Sequence, residues 1–456
     1  MSLASSIGYG QAPVYDLAIL HASVLDTRTG SVLTDQTILV VGSIIVGVKP
    51  GRGAIGAKRT IDAKGKLVTP GLMDVHSHLT NVLGDYAMAP LDVQPDSIPF
   101  YRQRNSQTYL PYGVTTIRIV GEPESWIPMT LDWQYHARSN EPDIYTCGAA
   151  LVSKEDNRKT YINHVVVDGP DAAEKKIQQY YDEGIRDIKL YWRLRYPEFT
   201  AALNKARALH MNVCGHIDRK VTTRDSTVVL GLREFEHLHP YGVEILTADE
   251  LQTVQGFVNR QYGSGKGNFL GWEMEIWRKL GRNNARMLHS IDLLKQYHAS
   301  LTPTIHIFGQ ALGQSYIKGP LTIENGGLNT EDFTPAQRAR CLEGYAVMMS
   351  YLKIMYDKGI PLNIGTDCPN GGKAVLSEML LIHQAGIPMT GVFAMATLNN
   401  ARAIGREKMY GSIDKGKKAD LLIFETNPLH NPNGLIGEKT IIKDGKVFQQ
   451  GPAGDR

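Results

Sequence analysis

Two histidines, one residue apart, follow an apolar run in GLMDVHSHLT, residues 71–80. In an extended strand, residues i and i+2 lie on the same face, so His76 and His78 are predicted to point the same way. Two imidazoles on one face of a strand end can bind one metal ion. Seen alone, the triplet is equally compatible with two polar residues that fall together at a strand end. Other residues of the chain are needed to distinguish this interpretation from a metal site.

Side chains that can bind metal also stand at the ends of later β-rich runs. These residues are Lys189, His216, His237 and Asp367. A lone histidine is commonly a core residue with its hydrogen bonds satisfied, but so consistent a placement at strand ends predicts a metal centre. Nitrogen and oxygen ligands without thiolates favour Zn²⁺ and leave manganese, cobalt and iron open.

From residue 70 onward, β-rich runs alternate with longer helical stretches, a pattern typical of a mostly parallel sheet with helices outside it. Eight is the number of strands that closes a (β/α)₈ barrel, whose chemistry lies at the C-terminal strand ends. The sequence therefore predicts an α/β fold of this type. The eight runs are GLMDVH (71–76), GVTTIRIV (113–120), DIYTCGA (143–149), IRDIKLY (185–191), MNVCGH (211–216), LREFEH (232–237), SLTPTIHIF (300–308) and IPLNIGTD (360–367).

Both chain ends contain short strand-like runs with no helical stretch between them. Residues 1–69 and 400–456 are therefore predicted to form one small β-sandwich domain beside a barrel of residues 70–399. An insertion at about 240–298 is longer than one crossover helix requires. It is predicted either to shape the substrate pocket or to serve a structural or oligomer-forming role.

The composition of the 456-residue chain is ordinary: 42% of residues are hydrophobic and the net charge is +3. Such a charge favours neither nucleic acid nor a membrane as a partner, and a homo-oligomer is left open. No apolar stretch is long enough to span a bilayer, and residues 1–16 lack the centre of a signal peptide. The expected location is cytoplasmic, or periplasmic or secreted if a natural signal peptide has been removed.

The four cysteines are widely spaced, which argues against a disulfide framework.

Several of these motifs together resemble the amidohydrolase superfamily, in its branch with two metal ions on a (β/α)₈ barrel. The similarity extends over nearly the whole chain, with the motifs in family order. They are VTPGLMDVHSHL, YGVTTIR, IKLY, NVCGHID, EFEHL, TPTIH, IGTD and GSIDKGKKADLLIFETNPL.

The resemblance implies a ligand set for each of two divalent metal ions. His76, His78 and Asp367 would bind the first ion and His216 and His237 the second, with Lys189, carboxylated by CO₂, between them. Electrostatics agrees with that modification, because the ligands and a hydroxide leave a local charge of about +1 with a carbamate but about +3 with an ammonium.

The resemblance also implies a hydrolase that cleaves a C–N amide bond. A metal-bridging hydroxide would attack the carbonyl, and Asp367 would act as acid and base. The motifs are most similar to Xaa-Pro dipeptidases and N-acyl amino acid hydrolases, although YWRLR replaces a Ser-Gly-Gly-like segment after Lys189. The expected substrate is a small amide or peptide. The alternatives are a cyclic-amide hydrolase similar to imidazolonepropionase, a hydrolytic deaminase, and a non-catalytic scaffold.

Four residues near the strand ends are candidates for substrate contacts. A substrate carboxylate would suit a guanidinium, and Tyr191 and His306 could hydrogen-bond a carbonyl. Solvation or a structural role explains most of the arginines, and Tyr191 and His306 are equally well explained by packing or by satisfied hydrogen bonds. The candidates are Tyr191, Arg193, His306 and Arg219, with Arg118 and Arg195 as further arginines nearby.

Overall fold

The structure is a computed structural model that describes residues 15–51, 55–80, 90, 92–155, 161–218, 223–263, 268–317, 330 and 333–448. Within these ranges no helix is long and apolar enough to cross a membrane.

Strands and helices alternate through the middle of the chain, and strands dominate both ends. The strands are β1 (Tyr15–Leu25), β2 (Val32–Val41), β3 (Ile44–Pro50), β4 (Ala57–Asp62), β5 (Leu67–Pro70), β6 (Leu72–Ser77), β7 (Val114–Ile119), β8 (Asp143–Thr146), β9 (Ala150–Ser153), β10 (His164–Val167), β11 (Asp187–Leu190), β12 (Asn212–His216), β13 (Glu234–Glu236), β14 (Ser300–Thr302), β15 (Leu421–Phe424), β16 (Lys439–Lys443) and β17 (Lys446–Val447). The helices are α1 (Ile98–Tyr109), α2 (Ile127–Tyr135), α3 (Pro170–Glu183), α4 (Tyr196–Ala208), α5 (Arg224–Leu230), α6 (Tyr241–Ile245), α7 (Ala248–Tyr262), α8 (Asn268–Leu280), α9 (Ala285–Gln296), α10 (His306–Ala311), α11 (Pro335–Asp357), α12 (Gly372–Gln384), α13 (Met389–Ala394) and α14 (Asn400–Ala403).

The barrel is built from two parallel sheets and one extended segment. One sheet has the order β6-β7-β8, and the other runs β10-β9-β11-β12-β13-β14. β8 and β9 act as one interrupted strand, because β8 pairs with β7 whereas β9 pairs with β11. The extended segment 360–367 closes the ring: Leu301 N–H donates to Pro361 O at 3.0 Å, and Val75 N–H donates to Ile364 O at 3.1 Å. The predicted (β/α)₈ barrel is confirmed.

The seventh predicted strand, 300–308, is wrong in its second half. Regular pairing ends at Thr302, and α10 begins at His306. Pro303 cannot donate a ladder hydrogen bond, and Thr304 has a left-handed backbone (φ 48°). The chain therefore turns away from the sheet at the point where Thr304 faces the barrel mouth.

Both chain ends combine into the predicted β-sandwich domain. Its eight strands include β1 to β5 from the N-terminal end and β15 to β17 from the C-terminal end. β5 links the two sets by pairing with β1 and with β15. The alternating buried residues of these strands enclose a core of their own, separate from the barrel core. The domain boundaries given above stay predictions.

The insertion between β13 and β14 folds into the four helices α6 to α9. α8 packs against α11 on the outside of the barrel. The capping box at Thr247 and Glu250 starts α7, which satisfies two backbone donors at its first turn.

A buried ionic network joins the sandwich domain to the barrel. Lys443 of β16 is fully buried and lies 3.0 Å from Asp143 of β8 and 3.3 Å from Asp420. Lys418 lies 2.8 Å from Asp143 and 2.8 Å from Asp444. Two ammonium groups thus neutralise most of the charge of three carboxylates, so this acidic cluster is a domain contact and not a cation site.

A second buried network fills the barrel interior below the mouth. Arg118 of β7 donates to Val75 O at 2.8 Å and to Glu234 at 2.8 Å, and it reaches Glu236 at 3.2 Å. All three charged side chains are at most 7% exposed. Arg118 therefore neutralises two carboxylates of β13 and ties β6, β7 and β13 together.

Replacement of Arg118 by methionine should lower the free energy of unfolding by about 3–5 kcal/mol, because Glu234 and Glu236 would stay buried without their cation. Chemical denaturation measures this change. The same substitution at the exposed Arg104 of α1 is the matched control and should change the stability by less than about 0.5 kcal/mol. Equal stability of both variants would contradict the role given to Arg118.

Candidate metal centre

The structure brings the six predicted metal ligands to one end of the barrel. Three of them lie within strands, two lie just beyond a strand, and one is the last residue of the extended segment. His76 lies in β6, Lys189 in β11 and His216 at the end of β12, whereas His78 follows β6, His237 follows β13 and Asp367 ends the segment 360–367.

The four imidazole rings form a continuous cluster. His76 and His78 have ring centroids 5.6 Å apart, as expected for neighbours on one strand face. The ring of His237 lies 4.6 Å from that of His76 and 4.4 Å from that of His216. Histidines that are far apart in the sequence, such as His76 and His237, are thus close enough to share one site.

Asp367 faces the Nε2 atoms of three of these rings. Its Oδ1 lies 3.1 Å from His78 Nε2 and 3.7 Å from His76 Nε2. Its Oδ2 lies 4.0 Å from His237 Nε2. One ligand atom each from His76, His78 and Asp367 lies within 4.8 Å of the others, a spacing that fits a single cation.

The opposite nitrogen of three rings is held from behind. Nδ1 of His76 lies 2.6 Å from Glu236, Nδ1 of His237 lies 2.7 Å from Thr304 Oγ1, and Nδ1 of His78 lies 3.0 Å from Gly121 O. A carboxylate or carbonyl at Nδ1 requires the proton there, which leaves the Nε2 lone pair available. The contacts of His76 and His78 therefore direct Nε2 lone pairs at the space beside Asp367, and the Thr304 hydroxyl fixes the orientation of the His237 ring.

Burial favours the neutral form of three of the imidazoles. It lowers the pKa of His76 below the ordinary value, and it lowers the pKa values of His216 and His237 further, with Lys189 adding to the effect. Burial alone would raise the pKa of Asp367, but the neighbouring His76 and His78 outweigh it and hold that pKa below its ordinary value. Neutral imidazoles beside an ionised carboxylate form a donor set suited to a divalent ion.

Lys189 is the exception in this donor set. Its side chain is 2% exposed, and its closest carboxylate oxygen, on Glu236, lies 3.8 Å away. Within the described residues its Nζ has no hydrogen-bond partner. A buried ammonium without hydrogen bonds is costly, so the position fits a lysine whose nitrogen carries a further group.

Unusual backbone conformations direct several of these side chains. His237 (φ 63°), Thr304 (φ 48°) and Asp367 (φ 49°) are left-handed without being glycine, a conformation that costs about 1–2 kcal/mol per residue. Hydrogen bonds hold them: His237 N–H donates to Thr302 O at 2.8 Å and Asp367 N–H to His76 O at 2.9 Å. The left-handed backbone conformation turns each of these three side chains towards the barrel mouth.

Gly365 allows the segment before Asp367 to approach β6. A Cβ at this position would lie 2.5 Å from His76 Cβ and 2.4 Å from Thr302 Cγ2. Only glycine therefore fits between β6, which carries His76, and β14.

Sequence reasoning missed the residues that support these ligands. Glu234 and Glu236 alternate in EFEH, and this period of two signals a shared lumen face. Asp74 has the same parity as His76, and its carboxylate accepts hydrogen bonds from Thr366 N at 3.2 Å and Thr366 Oγ1 at 2.7 Å. Burial raises the pKa of Asp74 to about 7. Thr304 gave no such signal, because its position depends on the turn that ends β14.

Tyr191 lies beside the metal centre. Its ring centroid is 5.1 Å from that of His216 and 4.6 Å from that of His164. Burial raises the pKa of Tyr191 to about 12, so its hydroxyl is a proton donor at neutral pH.

The other predicted substrate residues are placed differently. Arg193 is buried and lies 2.5 Å from Glu155, and the exposed Arg195 pairs with Glu198. His306 is fully buried with Nδ1 2.8 Å from Ser377 Oγ, and burial lowers its pKa to about 4. Arg219 lies outside the described residues. Arg118, one of the further arginines near the strand ends, belongs to the buried network below the mouth.

Replacement of Glu236 by glutamine should weaken divalent metal binding by about 10- to 100-fold, because the amide orients His76 less firmly than the carboxylate. Competition with a chromophoric chelator measures the affinity. Glu343→Gln on the exposed face of α11 is the matched control and should bind metal like the parent chain. Unchanged affinity in the Glu236 variant would show that this contact does not support a ligand.

Comparisons with known proteins identify similar sequences and a similar fold. The family model described as "Amidohydrolase family" matches residues 346–448. An imidazolonepropionase of Geobacillus kaustophilus (strain HTA426) is 34% identical over 108 residues, which cover 21% of this chain and 26% of that protein. A 5-methylthioadenosine/S-adenosylhomocysteine deaminase of Caldanaerobacter subterraneus subsp. tengcongensis is 28% identical over 141 residues, which cover 26% of this chain and 32% of that protein.

A solved structure shares the whole fold. The crystal structure of a Xaa-Pro dipeptidase with bound methionine in the active site matches with a TM-score of 0.66 and 20% identity, over 95% of this chain and 100% of that chain. The chain spans only a quarter to a third of the length of the two curated relatives. The family match, the sequence relatives and the shared fold together confirm that this chain resembles the amidohydrolase superfamily.

Proposed function

We propose that this protein is a metal-dependent hydrolase that cleaves the C–N amide bond of a dipeptide or N-acyl amino acid. The observation that carries the proposal is the position of Asp367: its side chain is 29% exposed, whereas that of His76 is 2% exposed. Asp367 thus lies between the buried imidazoles and solvent, where a substrate would enter. Comparison with a dipeptidase of the same fold supports the substrate class.

The six clustered residues have the donor types for two divalent ions, most simply Zn²⁺. His76, His78 and Asp367 would hold one ion and His216 and His237 the other, with Lys189 between them. When bound, such ions polarise a carbonyl and acidify water to a pKa of about 7. The protein's own side chains would carry out the proton transfers.

Asp367 would move the proton. Its lowered pKa keeps the carboxylate ionised at neutral pH, so it has a free site for the proton released by the attacking water. The same carboxyl group then returns the proton to the departing nitrogen, which is necessary because an amine leaves poorly without one. The Nδ1 contacts of His76 and His78 hold their rings in place while Asp367 changes its protonation state.

Lys189 would act as a carbamate. Loss of one proton from the ammonium gives a neutral amine. Addition of CO₂ to that amine forms a C–N bond, opens one C=O π bond and releases a second proton, so that the two losses together convert a cation into an anion. Nζ has no hydrogen-bond partner in the described part of the chain, which supports this change, because an anion there would offset the charge of two cations.

A second candidate is the hydrolysis of a cyclic amide. The identity with imidazolonepropionase relatives favours it, and the deaminase relative extends the alternatives to hydrolytic deamination. The products separate the candidates, because deamination releases ammonia and cleavage of a dipeptide releases two amino acids.

Screening of the zinc-loaded protein against dipeptides, N-acyl amino acids and cyclic amides should reveal amide hydrolysis that chelation removes and zinc restores. Replacement of Asp367 by asparagine should lower kcat/KM by about 10²- to 10⁴-fold, because the amide cannot carry the proton. Asp292→Asn on the exposed face of α9 is the matched control and should be fully active. Ammonia release from heterocycles without amide cleavage would overturn the proposal.

Incubation with ¹³C-labelled bicarbonate should add one carbamate resonance to the carbon NMR spectrum of the zinc-loaded protein. Lys189→Arg should lack it, because a guanidinium does not take up CO₂ in this way. Lys189→Ala should lose bound zinc and regain part of it with added formate, whose carboxylate fits the vacated space. A resonance that persists in Lys189→Arg would place the carbamate elsewhere.

A further inference from the structure

A separate cavity opens on the opposite face of the barrel from the metal centre. It has a volume of about 460 Å³ and lies where β12, β13 and β14 begin. We call it the basal cavity, and its polar lining includes Arg207, Arg233, Arg402, His298, Asn212 and Asn399. A volume of this size accommodates a small organic molecule.

The charge of the basal cavity is strongly unbalanced. Three arginines line it, and Glu234 is the one carboxylate among its lining residues. Both carboxylate oxygens of Glu234 already accept hydrogen bonds from Arg118. Within the described part of the chain, no carboxylate lies within 4.0 Å of the guanidinium groups of Arg207, Arg233 or Arg402. The three cations thus face one cavity without an internal counter-ion.

Two of these guanidinium groups are held in place. Arg233 Nη1 donates to Val228 O at 2.6 Å and to Leu232 O at 2.9 Å, and its guanidinium lies 5.3 Å from the ring centroid of Tyr297. Arg207 Nη1 donates to Leu230 O at 3.0 Å. A guanidinium has five N–H donors, so each retains others for a ligand. Held guanidinium groups lose less entropy when they bind an anion.

Gly231 makes room for this arrangement. Its backbone is left-handed (φ 114°), and a Cβ there would collide with the Arg207 guanidinium. Burial lowers the pKa of Arg233, and the positive charge of the nearby Arg207 lowers it further. The two cations are therefore close enough to repel, and an anion between them would relieve the repulsion.

The barrel interior separates the basal cavity from the metal centre. Arg118, Glu234 and Glu236 fill the lumen between the two and are at most 7% exposed. A ligand of the basal cavity therefore does not reach the metal ligands, and its binding does not depend on the hydrolytic activity proposed above.

We propose that the basal cavity is a binding site for a small, multiply charged anion that carries phosphate or carboxylate groups. Planar guanidinium groups bind both groups through paired hydrogen bonds. Leu203, Met211 and Val213 in the lining provide apolar contact for an organic part of the ligand.

Site-resolved modification by phenylglyoxal tests the location in the metal-loaded protein. Pyrophosphate and citrate are the two probes, each compared with sodium chloride at equal ionic strength. Saturating probe should slow the modification of Arg207 and Arg233 by about fivefold or more and leave the exposed Arg260 of α7 unchanged. Protection by pyrophosphate alone identifies a phosphate site, and protection by both probes identifies a general polyanion site. Protection by neither probe, or equal protection of Arg260, would overturn the proposal.

Calorimetric titration of a double variant provides the second measurement. Arg207→Gln with Arg233→Gln should weaken binding of the protecting probe by about tenfold or more, since each side chain supplies charged hydrogen bonds. Both side chains are exposed, and unfolding curves verify that the variant folds. The matched control Arg260→Gln should bind like the parent chain. Equal affinity in the double variant would show that the probe binds elsewhere, including at the metal centre.

Discussion

The hydrogen bonds at Nδ1 of three histidines are the interactions on which the metal centre depends. Glu236, Thr304 and Gly121 hold the rings from behind and direct Nε2 towards the space beside Asp367. Without these hydrogen bonds, nothing would fix the orientation of the rings so that their lone pairs point to one place. The cluster is electrostatically incomplete by itself, because it collects nitrogen donors around a Lys189 ammonium to which no described residue makes a hydrogen bond. Cations and a modified lysine would complete it.

The barrel provides the rigidity that this arrangement requires. Arg118 links β6 and β7 to the carboxylates of β13, and one of these carboxylates contacts His76. Asp74 holds Thr366 next to Asp367, so the first and last barrel positions share one hydrogen-bond network. The strained backbone at His237 and Asp367 is maintained by this surrounding structure. Stability and function are therefore coupled through the same buried polar groups.

The ligand types and their order along the chain were predictable because barrel strands end on one face. A histidine or aspartate at such an end must lie near the others, whatever the intervening helices do. The left-handed turns at His237 and Thr304 were not predictable, because tertiary hydrogen bonds impose them on residues that favour other conformations. The position of the Arg118 guanidinium was not predictable for the same reason, because a place beside a strand end does not reveal that the side chain turns into the lumen. The arginines of the basal cavity come from separate helices and loops, and only the folded chain brings them together.

Anomalous X-ray scattering from crystals of the zinc-loaded protein, recorded on both sides of the zinc absorption edge, tests the two-metal centre most directly. Two zinc peaks about 3.5–4 Å apart are expected between the imidazoles, with Asp367 at one ion and the modified Lys189 between both. A single peak, peaks away from these residues, or an unmodified Lys189 turned out of the cluster would contradict the centre described here.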